Sequence, residues 1–280
     1  MQLTSAQVFH HRWCAALAAQ DTAALRELYH PDAVQLSVGT GRTLLGAEAI
    51  AAGFAEFFGI AGAVNTTGVE NFIDLGPSFV AESTQSTGFA QATSYDVFAL
   101  AGGRARFHAG GSIFPRSPAA LPAQDPAAPG QAFFRRLWDA ISMQDAATLT
   151  SLYAPDAVHA SVAGTMLGGQ VIADSHRQRW RQVGPPQLRS LSCFVEGPDA
   201  LAVEGIANLG FGPDVRLDVE FYEVWLLHQG RAVFVTNGLI SPRPAELRQG
   251  LQQYADNQIR NIQTVAQGLA NLHAPRYWYY

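Results

Sequence analysis

Two acids sit in similar company in this sequence. Asp96 alternates along its segment with Phe98 and Leu100, and Glu223 alternates with Phe221, Trp225 and Leu227. Alternate residues of a strand share a face, so each carboxyl is expected among large apolar side chains. Such an acid is either exposed at a strand end and paired with an Arg, or lodged in an apolar hollow with its pKa raised. In the hollow, a neutral carboxylic acid can donate a hydrogen bond to a carbonyl or enolate oxygen. His159, His176 and Arg179 supply further chemistry if they face the same hollow as Glu223. A His beside a carboxylate is a workable general acid/base, and Arg can hold an enolate or carboxylate oxygen. The bland alternatives stand beside this: a solvated basic face on the helix carrying His176, Arg177, Arg179 and Arg181, and a hydrogen-bonded core histidine at His159.

The elements that must position these residues come as two copies. QDTAALRELYHPDAV at 20–34 returns 124 positions later as QDAATLTSLYAPDAV, with ten of fifteen residues identical. That spacing far exceeds the period of a solenoid, so each copy should be a whole domain with its own core. Copy one is expected to span 1–116 and copy two 130–243, with a Pro/Ala-rich linker at 117–129. Residues 244–280 would add an amphipathic helix (Leu247, Leu251, Tyr254, Ile259, Ile262, Val265, Leu269, Leu272) and the aromatic tail Arg276-Tyr-Trp-Tyr-Tyr.

Within copy one, Thr4 reads as the N-cap of a first helix, and Asp21 caps a short second helix that Pro31 ends. Residues 33–38 read as a strand, Gly39–Arg42 as a turn and Ala47–Ile60 as a third helix. Strands near 64–75, 78–89, 92–101 and 104–114 complete a meander, with Gly102-Gly103 as a turn and Gly110-Gly111 as turn or bulge glycines. Copy two repeats the order: helices near 130–143, 145–153 and 168–183, and strands near 157–163, 187–196, 200–211, 214–228 and 231–241. His10 and His11, on the first helix, are expected to face solvent or the other copy. The copies diverge on the third helix, where Ile50, Phe54, Phe57 and Phe58 become Ile172, His176, Arg179 and Trp180, and on the first strand, where Gln35 becomes His159.

Composition bounds the function. The 280 residues are 48% hydrophobic and 15% charged, as in an ordinary globular protein of about two domains. Net charge is −5 and all eighteen basic residues are Arg, so nucleic acid is an unfavourable partner. No apolar run is long enough to cross a membrane and no leader pattern opens the chain, which makes the cytoplasm the expected location. Cys14 and Cys193 fall at non-equivalent places and are expected to be buried thiols. Metal-ligand spacings such as H-x-H, H-E-x-x-H and C-x-x-C are missing, so no metal is expected.

The pattern helix–D-x-x-x-L–L-[YF]-x-[PD]-D-A-[VT]–strand–G-x-x-[AI]-I–helix resembles one superfamily. Arg12–Asp21 with Leu28–Val34 carry it in copy one, and Arg136–Asp145 with Leu152–Val158 in copy two. It is the nuclear transport factor 2-like superfamily, with ketosteroid isomerase, limonene epoxide hydrolase and the SnoaL-type polyketide cyclases. The resemblance implies an α+β fold: two tandem cone-shaped barrels, each of three helices on a curved antiparallel sheet. Ketosteroid-isomerase-like members place a tyrosine on helix one, which falls on Trp13 and Leu137, and a base on the first strand, which falls on Ser37 and Ser161. Serine without a base beside it cannot take a proton at neutral pH, so that mechanism is absent in the family's form. Their second acid falls on Asp96 and Glu223. The final-strand acid of epoxide-hydrolase-like members falls on Gly110 and Asn237. Tandem polyether epoxide hydrolases share the layout but need two carboxylates per cone, which are not found at matching positions.

These readings lead to an expectation: a cofactor-independent cyclase, isomerase or dehydratase for a small apolar oxygenated metabolite of polyketide or terpenoid character. His159, Glu223, His176 and Asp96 would be catalytic. Trp13, Ser37, Phe54, Phe58, Ser161, Arg179, Trp180, Trp225 and Asn237 would line the pockets, with His108 a further candidate in copy one. Copy two would hold the chemistry. The alternative is a non-catalytic binder or scaffold for a hydrophobic ligand. The two copies are expected to pair as an intramolecular pseudo-dimer, and the C-terminal helix offers a route to a homodimer.

Overall fold

The structure is a computed structural model that describes residues 3–88, 90–113, 128–212 and 215–239. The expected linker lies almost wholly outside these residues, and the C-terminal helix and aromatic tail lie outside them entirely.

In the first domain, α1 (Ser5–Ala19) starts at a capping box, with Thr4 accepting from the Gln7 amide. The next helix, α2 (Thr22–Leu28), is capped by Asp21, and α3 (Ala47–Ala61) follows. The strands are β1 (Tyr29–Ser37), β2 (Arg42–Leu45), β3 (Asn65–Asp74), β4 (Ser78–Ser86), β5 (Gln91–Ala101) and β6 (Arg104–Ile113). They form one sheet in the order β2-β1-β6-β5-β4-β3, antiparallel except for the parallel β1–β6 pair.

The second domain repeats this arrangement. Its helices are α4 (Pro129–Ser142), α5 (Ala146–Leu152) and α6 (Gly169–Val183). Its strands are β7 (Tyr153–Ser161), β8 (Gly164–Leu167), β9 (Gln187–Gly197), β10 (Ala200–Gly212), β11 (Val215–His228) and β12 (Arg231–Leu239). The sheet order is β8-β7-β12-β11-β10-β9. The fold is therefore two tandem α+β domains.

Two expectations change. Pro31 does not end α2: the helix stops at Leu28 and the strand begins at Tyr29, so Pro31 lies inside β1. It is tolerated because the β1–β6 pairing is interrupted between Tyr29 and Val34, where no ladder amide is needed. Pro155 lies in the matching interruption of β7, between Tyr153 and Val158. The segments after β1 and β7 are not plain turns; each carries a short edge strand, β2 or β8, paired back on its predecessor.

Each sheet has an inner and an outer face. The inner faces pack on their own helices, with Phe9, Trp13, Leu25, Ile50, Phe79 and Phe98 in the first domain and Phe133, Leu137, Leu149, Ile172, Phe221 and Trp225 in the second. The outer faces pack against each other in a third core, where Leu36, Val80, Val97 and Phe107 join Val195, Ala202, Val224 and Phe234. At its centre the Tyr95 and Tyr222 rings stack, with centroids 3.9 Å apart and planes 2° apart. Tyr95 donates to Glu204 Oε1 at 2.8 Å, and Tyr222 donates to Glu82 Oε1 at 2.7 Å, so each domain holds the other's tyrosine.

The candidate site in the second domain

Register makes the two interiors comparable position by position. Gln35 pairs with His108 and Asp96 pairs with Gly110 in the first sheet; His159 pairs with Val235 and Glu223 pairs with Asn237 in the second. The acids occupy the same place, but their neighbours have changed.

In the first domain the polar groups form a connected hydrogen-bonded chain. Trp13 Nε1 donates to Tyr29 Oη at 3.2 Å, the phenol meets His108 Nδ1 at 2.8 Å, and His108 Nε2 meets Asp96 Oδ1 at 3.1 Å. Gln35 Nε2 reaches His108 Nδ1 at 3.1 Å. Trp13, Tyr29, Asp96 and His108 are each at most 5% exposed. Gly110 permits the contact, because a Cβ there would fall 2.7 Å from Asp96 Oδ1 and 2.9 Å from His108 Nε2. This close approach, not a bulge, accounts for the glycine. Aromatic rings fill the surroundings: Phe98 stacks on His108 at 4.1 Å, Trp13 meets Phe98 edge-on at 5.4 Å, and Phe54 lies between Trp13 and Phe58. Burial pushes the Tyr29 phenol up, and the Asp96 charge adds to that. This interior is a polar chain in an aromatic core that ends at Asp96, whose Oδ2 is buried without a partner.

The second domain keeps the acid and loses its partner. Val235 stands where His108 would be, and Asn237 occupies the space that Gly110 leaves open. Glu223 therefore meets no imidazole; its Oε2 accepts from Trp225 Nε1 at 3.2 Å. Burial raises its pKa to about 7, and the Trp225 bond opposes the shift only in part. Tyr153, the counterpart of Tyr29, is also pushed well up, first by burial and then by Glu223. Yet Glu223, His176, Arg179 and Asn237 all keep accessible surface. The carboxyl is thus largely desolvated without being sealed from water.

The expected histidines take different positions. His176 turns inward from α6; burial, with His159 and Arg179 nearby, lowers its pKa to about 3, so its imidazole is neutral. The helix is thus not simply a solvated basic face, although Arg177 pairs with Asp174 at 2.9 Å and Arg181 is exposed. Arg179 donates to the Gly210 carbonyl at 3.2 Å. His159 stands behind Asn237, with Nε2 3.3 Å from Asn237 Oδ1. With that oxygen as acceptor, Nε2 carries the proton and Nδ1 is left as a buried lone pair without a partner. Burial lowers the His159 pKa and the Asn237 bond offsets part of this. Trp180 is buried beside His176, with ring centroids 6.1 Å apart, and its N–H has no partner.

Other assignments need correction. Ser37 accepts from Thr40 Oγ1 at 2.8 Å, and Ser161 Oγ accepts from the Ala163 amide at 3.3 Å, so both serines stabilise the turns after their strands. His10 does not face solvent. It is 4% exposed, packed against Phe72 and Phe79, and burial lowers its pKa. Tyr29 and Gln35 belong to the first-domain network, a role their sequence positions did not reveal; the only signal was the repeated Leu-Tyr of both copies. Cys14 and Cys193 are half-buried thiols, and burial pushes the Cys14 thiol up to about 11. Among the described residues, no three His, Cys, Asp or Glu side chains gather so as to hold a metal ion, and no helix is long and apolar enough to cross a membrane.

Residues 10–111 match the family model of the SnoaL-like domain. No curated protein matches the chain. Several solved structures resemble it at low identity. An LEH-like epoxide hydrolase from M. tuberculosis is 16% identical, covering 46% of this chain and 94% of its own, with a TM-score of 0.38. A putative polyketide cyclase from Sinorhizobium meliloti is 20% identical, covering 39% and 100%, with a TM-score of 0.34. An NTF2-like protein of unknown function from Burkholderia pseudomallei is 18% identical, covering 40% and 91%, with a TM-score of 0.35. Residues 10–111 are thus similar to the SnoaL-like domain, and a second domain with the same strand order follows them.

Proposed function

We propose that the second domain is a cofactor-independent acid/base site for a small, largely apolar, oxygenated molecule of polyketide or terpenoid character, performing an isomerase-, cyclase- or dehydratase-type step. The observation that carries this reading is Glu223: desolvated, unpaired with any cation, still accessible, and with a pKa of about 7. A carboxyl with that pKa is protonated and ionised in comparable amounts at neutral pH, so it can both deliver and accept a proton. The neutral His176 imidazole and the Asn237 amide are the groups suited to hold a carbonyl or enolate oxygen. His159 has a supporting role, orienting Asn237 from behind. Phe221, Trp225 and Trp180 provide the apolar wall.

Proton–deuterium exchange at the α-carbon of enolisable bicyclic ketones, such as 2-tetralone, tests the reading in deuterated buffer by proton NMR. Wild-type protein should accelerate exchange, Glu223→Gln should return it to background, and Asp96→Asn should retain it in folded protein. Equal exchange in wild type and Glu223→Gln would refute the assignment. No exchange, together with a small molecule retained through purification from the native host, would favour a binding protein.

A further inference from the structure

One carboxylate of the first domain lies beneath both strands that carry the second-domain polar residues. Glu82 Oε1 accepts from Tyr222 at 2.7 Å, and Glu82 Oε2 accepts from Asn71 Nδ2 at 2.6 Å. Tyr222 precedes Glu223 on β11 and points to the opposite face of the sheet. On β12, Gly238 follows Asn237, and a Cβ there would fall 2.6 Å from Glu82 Oε1 and would also collide with the Tyr222 ring. The backbone next to each of Glu223 and Asn237 therefore rests on the same first-domain group. Tyr222 is 1% exposed and Glu82 8%, and the stacked Tyr95 ring closes the junction.

We infer that Glu82, acting through Tyr222, is a positioning residue for the second-domain site, and that the first domain is the brace that fixes how deeply Glu223 is held. The inference rests on the reading of Glu223 as the acid/base group. Trp225 faces that carboxyl from its own strand, Tyr153 from β7 and Asn237 across β12, with the non-titrating Val203 opposite on β10. His159 lies beyond Asn237. On α6, the His176 imidazole is neutral and Arg179 donates to the Gly210 carbonyl, and the shift at Glu223 has only burial and the Trp225 bond as its causes. Loosening the brace lets water reach Glu223, and its midpoint falls toward the ordinary carboxylate range.

The test is a carbon-13 NMR titration of glutamate carboxyls in the full-length chain, with Glu223 assigned by loss of its signal in Glu223→Gln. Tyr222→Phe removes one hydroxyl, and Glu82→Gln removes the charge that accepts it. Thr43→Val is the control: it removes another bond between the domains, Thr43 Oγ1 to the Glu196 carbonyl at 2.7 Å, without touching β11 or β12. Tyr222→Phe and Glu82→Gln should each lower the Glu223 midpoint by about half a pH unit or more, roughly a threefold change in proton affinity, while Thr43→Val leaves it in place. An unchanged midpoint in folded Tyr222→Phe, or an equal shift in Thr43→Val, overturns the inference. The titration does not depend on turnover. A shifted midpoint without ketone exchange in wild type would leave the brace standing and remove the catalytic reading.

Discussion

Asp96 and Glu223 hold equivalent positions, and two neighbouring positions decide what each can do. His108 with Gly110 gives Asp96 an imidazole partner; Val235 with Asn237 leaves Glu223 without one. Proton linkage then fixes the sign of a stability effect. A folded-state pKa raised from 4.5 to about 7 means that the contribution is fully present below pH 4.5 and is lost as pH rises toward 7. Glu223→Gln should remove this loss, flattening the stability profile between those values and making the variant more stable than wild type at pH 8. Its magnitude should be on the order of 3 kcal/mol by urea denaturation. For His176 the sign reverses. A pKa lowered from 6.5 to about 3 withholds stability as pH falls through that window, so His176→Gln should flatten the acid limb in the same experiment. Alternation in the sequence was enough to put both acids on inner faces. It could not disclose the Tyr29–His108 contact, which joins residues 79 positions apart, nor the inward burial of His10.

At the level of elements, caps and periodicity marked nearly every helix and most strands, because Thr4, Asp21 and Asp145 are true N-caps and turn glycines separate the meander. The start of β1 was hidden because Pro31 resembles a helix stop, and its tolerance depends on a local break in pairing with β6. The edge strands β2 and β8 have only four residues each, too short for a periodic signal. Gly102 and Gly103 are turn glycines with positive φ, whereas Gly110 and Gly111, and Gly238 in the second domain, are points of close approach. Gly238→Ala should force β12 off Glu82 and Tyr222, costing about 1–3 kcal/mol. By contrast, Gly59→Ala, on the exposed side of α3 with open space around it, should stabilise by about 0.5–1 kcal/mol. Thermal unfolding of the pair checks both signs; a destabilised Gly59→Ala or a neutral Gly238→Ala would contradict the packing described.

Across the whole molecule, the two sheets bury their outer faces against each other, with Tyr95 and Tyr222 exchanging hydrogen bonds with the opposite domain's glutamates. An excised first domain, residues 1–116, would expose Leu36, Val80, Tyr95 and Val97 on one apolar face. It should self-associate in sedimentation velocity at concentrations where the full chain shows a single species; a stable monomer would argue against the junction. Duplication was legible from the repeated fifteen residues, and the divergence at His159, His176 and Arg179 already pointed to copy two; the hydrogen-bonded network of the first domain was not legible. Which interior is filled by aromatic rings and which stays reachable is a property of packing. The most direct measurement is the carbon-13 NMR titration of the Glu223 carboxyl in unmodified full-length protein. A midpoint near 7 is the result required here; a midpoint near the ordinary value of 4.5 would contradict it.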